Sequence, residues 1–114
     1  MSQTPNPNDT NAVKQWIHAQ AAADNLRVTL HAHQEMVEEG VNLDEVLEAC
    51  ADAEVLENYP VHRRGPCCLV YGTTAAGRPL HVVCTTARST LIIITVYEPL
   101  PPKWATPTER SRGK

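Results

Sequence analysis

The apolar residues change their period near Asp52, and that change orders the elements of this chain. Before it, apolar side chains recur at helical spacing. Val13, Trp16 and Ile17 mark one face from Asn11 onward, roughly continued by Ala21, with the pattern ending at Asp24-Asn25. His33, Met36 and Val37 mark a second helix that starts at Thr29 or Leu30 and stops at Gly40. Leu43, Val46, Leu47 and Cys50 mark a third; Asn42 stands where a capping residue belongs, with Glu45 three residues on, as a capping box requires. After Asp52 the segments are short, β-branched and bounded by turn residues: EVLENYP, PCCLVYG, LHVVCTT and TLIIITVYE. Pro99, Pro101 and Pro102 end the last of them.

The loops between these four segments are short, which predicts an antiparallel meander. LRVTL, residues 26–30, reads as an edge strand or an extended lead-in, a fifth strand at most. The expected fold class is therefore α+β in two layers, with two to three N-terminal helices on an antiparallel meander sheet of four or five strands. Residues 80–84 and 91–96 are apolar on both faces, so these strands are expected at the centre, and a homodimer is one way to cover the second face.

At 114 residues the chain has room for one modest core. One domain is expected over 11–104, with residues 1–10 as a disordered tail and 105–114 as a flexible basic one. The longest apolar run, Leu91–Ile94, is far short of the roughly 20 residues that cross a bilayer. The polar N-terminus has no signal-peptide pattern, so the reading is cytoplasmic with no membrane partner. The four cysteines contain no C-x-x-C and read as free, mostly buried thiols.

Charge is divided along the chain. Residues 1–62 carry eleven acidic and two basic side chains, and residues 63–114 carry two acidic and eight basic. The halves either neutralise one another in the fold or present a basic face to an anion.

Five stretches, TLHA, NLDEVLEA, VLENYP, GRPLHVV and IIITVYEP with a following KW, resemble in that order the bacterial domain of unknown function 4258 over about residues 28–104. That family is grouped with the RelE- and MqsR-like fold, whose best-known members are messenger-RNA-cleaving toxins paired with antitoxins. The resemblance implies a RelE-like fold, RNA as a partner, a small antitoxin-like protein as a second one, and endoribonuclease activity. One departure stands out: family members often carry arginine where this chain has Glu35 and Glu39.

Cleavage of that type needs a base, an acid and cations, with no metal or other cofactor. The candidates for the first two roles are His81, Tyr97 and His31. His81 alternates with Val83 and Thr85 on one strand face and is expected to be accessible and hydrogen-bonded on a ligand face. Tyr97, sharing a face with Thr95 and Ile93, either meets a phosphate or base or closes the core. His31 either bonds His81 or Tyr97 across the layers or fixes the strand-to-helix corner. Arg63, Arg64, Arg78 and Arg88 are the phosphate-binding candidates, although the meander puts Arg78 at the end opposite the others. Trp104 is expected to fold back over the core. Two other readings compete: an interaction domain that kept the scaffold and lost the chemistry, and a metal site built from His31, His81 and a cysteine or carboxylate.

Overall fold

The computed structural model of the protein describes residues 4–63, 65–100 and 104–110. Its elements are α1 (Thr10–Ala22), β1 (Leu26–Val28), α2 (Leu30–Glu39), α3 (Leu43–Ala51), β2 (Glu54–Tyr59), β3 (Cys67–Thr73), β4 (Pro79–Thr85), β5 (Leu91–Tyr97), β6 (Trp104–Thr106) and β7 (Glu109–Arg110). Each helix starts at a side chain that accepts an otherwise unpaired amide: Asp9, Thr29 and Asn42. At α3 the box is reciprocal, with Glu45 N–H donating to Asn42 Oδ1 at 2.9 Å and Asn42 N–H to Glu45 Oε1 at 3.0 Å. Gly40 ends α2 in the left-handed region, at φ 69°.

The helices cover one face of a five-stranded sheet of order β1-β5-β4-β3-β2. From β2 to β5 the pairing is the expected antiparallel meander. The fifth strand corrects the all-antiparallel expectation: β1 lies parallel to β5, Leu26 against Leu91 and Val28 against Ile93. Three residues of alternation carry no information about direction. Here the direction follows from the chain leaving β1 into α2, which packs back across β5. The core between the layers holds Ile17, Met36, Val46, Val82, Leu91 and Ile93.

Within the five-stranded sheet, two β-bulges rotate the strands. In β5, Val83 pairs with Thr95 but Cys84 pairs with Ile93, so Ile94 is the extra residue. Ile93 is therefore fully buried under the helices while Thr95 and Tyr97 face outward. The expectation that Tyr97 and Ile93 share a face is corrected for this reason. In β2 the extra residue is Leu56: Val55 pairs with Val70 toward the core, and Glu57 pairs with Leu69. Glu57 and Tyr59 thereby join the outer face.

Glu35 and Glu39 have a structural role that composition concealed. Past Val28, no strand among the described residues lies beside this edge of β5, and its amides need acceptors. Val96 N–H donates to Glu35 Oε1 and Glu98 N–H to Glu39 Oε1, both at 3.0 Å. An i, i+4 helical pair rises about 6 Å, close to the repeat of strand amides that face one way. The two acids thus act as a substitute strand. Glu35→Gln, which keeps an acceptor, is expected to change stability little. Glu35→Leu should cost about 1–3 kcal/mol by leaving an amide unpaired, as urea unfolding would measure.

Cys50, Cys68 and Cys84 are buried free thiols, and Cys67 is half-buried. Cys68 and Cys84 are cross-strand partners with Sγ atoms 3.7 Å apart. Burial pushes the Cys50 thiol up to about 12, and the hydrogen bond with Cys68, followed by burial, pushes Cys84 well up. Thiolates are the reactive species. Near pH 8 a thiol reagent should therefore modify at most Cys67 in the folded protein, and all four cysteines in urea.

Candidate functional site

The outer face of the sheet carries the titratable and cationic side chains that the helices do not use. His81 sits at its centre, opposite Tyr71 on β3 and Tyr97 on β5. Both tyrosine rings meet the imidazole edge-on, with centroids 6.1 and 5.2 Å away. The Tyr97 hydroxyl lies 3.1 Å from His81 Nδ1, and the Pro107 carbonyl lies 2.5 Å from His81 Nε2. A carbonyl can only accept, so Nε2 carries a proton. In the neutral ring Nδ1 then accepts from the tyrosine hydroxyl. Pro107 lies in the β6–β7 hairpin, which pairs Trp104 with Arg110 and Thr106 with Glu109.

His81 is hydrogen-bonded as expected, yet it has 0% exposure. Its expected accessibility is corrected: the Pro107 backbone closes over it, and Tyr71 and Tyr97 flank it. Tyr97 itself lines an open groove of about 400 Å³ with Tyr59, His62, Leu69, Val83 and Glu57. There the Tyr59 hydroxyl donates to Glu57 Oε1 at 2.6 Å.

A second outer groove, about 490 Å³, lies at the β4–β5 turn. Arg88 and Arg27 line it with Thr85, Thr90 and Ile92. Arg27 is the β1 residue paired with Ile92, and both arginines are exposed. Arg63 is exposed in the β2–β3 connection, and Arg64 lies outside the described residues. Arg78 is elsewhere and occupied. Its Nε donates to Glu98 Oε1 at 3.0 Å, and its Nη atoms donate to the Gly40 and Glu39 carbonyls, closing the C-terminus of α2.

His31 does not meet His81. It stands on the solvent side of α2, with 65% side-chain exposure, 3.5 Å from Glu35 Oε2. With His31 and His81 apart, the three-ligand metal site considered above is not assembled; among the described residues no His/Cys/Asp/Glu cluster suits a metal. The Trp104 ring falls outside the described side chains.

Sequence reasoning missed Arg27, Glu57, Tyr59 and His62. The signal for the first was one arginine inside an apolar strand. For Glu57 and Tyr59 there was none, because their facing depends on the Leu56 bulge.

No helix among the described residues is long and apolar enough to cross a membrane. A family model described as Domain of unknown function (DUF4258) matches residues 28–98. No curated protein and no solved structure matches the chain.

Proposed function

The chain belongs to the DUF4258 family, and from that premise we propose that the outer face of its sheet binds RNA and that Tyr97, backed by His81, takes part in cleaving it. The observation that carries this reading is the groove at the β4–β5 turn, lined by exposed Arg27 and Arg88 and, among the described residues, by no acidic side chain. Exposed Glu38, Asp44, Glu48 and Asp52 lie on the helical side; on the sheet and its turns, exposed Arg27, Arg63 and Arg88 stand with the exposed acids Glu54 and Glu109 and with half-buried Glu57. A polyanion is steered to the Arg27–Arg88 groove and repelled from the helical side. Arg27 and Arg88 take one phosphate region, and Tyr59 and Tyr97 offer rings on which bases stack.

The chemistry follows from the hydrogen bonds of His81. The ribose 2′-hydroxyl passes its proton to the Tyr97 oxygen as the Tyr97 proton moves to His81 Nδ1. The imidazolium so formed has both N–H groups satisfied, one by Tyr97 and one by Pro107. The 2′-oxygen bonds to phosphorus, the bond to the 5′-oxygen breaks, and that oxygen takes a proton from His62 or water. The products are a cyclic phosphate and a 5′-hydroxyl, with no metal in the step. Tyr97 touches substrate; His81 is a positioning residue and proton acceptor behind it. A small antitoxin-like protein covering the Tyr97 groove completes the analogy with RelE- and MqsR-like toxins.

The test is cleavage of a mixed RNA pool in EDTA by the parent and by Tyr97→Phe. A drop of about 100-fold or more is expected for the variant. Equal cutting by both would locate the activity elsewhere. In a parallel binding titration, Arg27→Ala/Arg88→Ala should reduce the slope of log affinity against log salt by about 1.4, at about 0.7 per phosphate contact. Binding without cutting would favour the second reading, an interaction domain that has lost catalysis; the sealed position of His81 is the observation on that side.

A further inference from the structure

The helical side has its own unfilled surface, independent of the RNA reading. Among the described residues, Leu30, Val37 and Leu43 are 73%, 69% and 47% exposed. Val37 and Leu43 flank a notch of about 450 Å³ between α2 and α3, floored by Leu26 and Val28 of β1. The notch continues past Leu26 and Leu43 into a hollow of about 320 Å³ lined by Asp24, Asp44 and Leu47.

The floor of the notch is also a sheet edge. β1 is terminal in the strand order. Thr29 N–H donates to the Ile93 carbonyl and Leu91 N–H to the Asn25 carbonyl, so the odd-numbered residues of this stretch address β5. By strand alternation, the backbone groups of Leu26 and Val28 point away from β5, along the open edge. A three-residue edge strand is ordinarily protection against unwanted pairing. Here it sits under exposed apolar side chains, the opposite of a blunted edge.

We propose that this notch takes an extended, basic segment of a partner protein. Its backbone pairs with Leu26 and Val28, its alternate apolar side chains sink between Val37 and Leu43, and its lysines or arginines face Asp24 and Asp44. Strand addition supplies affinity through main-chain hydrogen bonds, and the pockets select the side chains. The carboxylates decide between occupants. An RNA is repelled by them. A second copy of this chain would bring its own Asp24 and Asp44 against the same pair.

The test uses the full chain as bait for a displayed library of short random peptides, followed by affinity measurements on those recovered. The expected peptides alternate apolar and basic residues. Val37→Gln/Leu43→Ser, two exposed positions whose change leaves the core intact, should weaken them about tenfold or more. Asp24→Asn/Asp44→Asn keeps the apolar floor and should remove most of the salt dependence. Amide exchange at Leu26 and Val28 should slow when peptide is bound. Recovery of no peptide, an acidic consensus, or equal affinity for the Val37/Leu43 variant would overturn the proposal. So would a dimer of the parent that dissolves in that variant, which would assign the notch to a second copy.

Discussion

Gly72→Ala is expected to lower the thermal midpoint by on the order of 10 °C. A Cβ at residue 72 would stand 2.0 Å from the Ala49 carbonyl oxygen and 2.7 Å from its carbon. No pair of unbonded atoms tolerates that approach, so α3 must lift from β3. The layers meet here with Val46, Ala49 and Cys50 all buried, and lifting the helix loosens each contact. Overpacking of this kind costs about 1–3 kcal/mol, and more when the obstacle is backbone. Because the obstacle is a carbonyl, trimming the neighbour does not help. Gly72→Ala/Ala49→Gly should be no more stable than Gly72→Ala alone. A differential scanning measurement of the three variants decides the point; recovery in the double variant would mean that the side chain of Ala49, not its backbone, sets the spacing.

His81→Ala is the second large effect, expected at roughly 3 kcal/mol. It empties a site with no solvent exposure, removes the acceptor of the Tyr97 hydroxyl, and frees the Pro107 carbonyl. The loss should also release the β6–β7 hairpin, so limited proteolysis near residues 104–110 should quicken in the variant before global unfolding. Tyr97→Phe keeps the ring packing but leaves the buried His81 Nδ1 without the tyrosine hydroxyl, and should cost about 1–3 kcal/mol. That contrast makes Tyr97→Phe the better probe of chemistry and His81→Ala the better probe of architecture.

The features legible in the sequence were those written in local chemistry. Asn42 with Glu45, Gly40 and the spacing from Leu43 to Cys50 specify their helix ends and faces within a few residues, and the structure has them there. The meander followed from short connections. What escaped was non-local. The direction of β1 depends on β5, far away in the chain. The outward facing of Glu57, Tyr59 and Tyr97 depends on two extra residues, Leu56 and Ile94, that alternation cannot distinguish from their neighbours. Glu35 and Glu39 stood out only as acids where the family often carries arginine, since a carboxylate reads as surface charge until the amide it accepts from is known. His81 and Tyr97, singled out separately, stand side by side across β4 and β5, a pairing that depends on register, and the Pro107 carbonyl that seals the histidine lies in a stretch with no strand pattern of its own.

The parallel pairing of β1 with β5 also sets a timetable. Thr29 bonds the Ile94 carbonyl across 65 positions of chain. On a ribosome working from the N-terminus, α2 emerges long before the strand that it packs on. Until Leu91 and the residues after it are made, β1 has no partner, and Glu35 and Glu39 have no amides to receive. Closure of so long a loop is a slow, non-local event. β5 therefore acts as the latch of the five-stranded sheet, and nascent chains that stop short of it should remain protease-sensitive along their entire length.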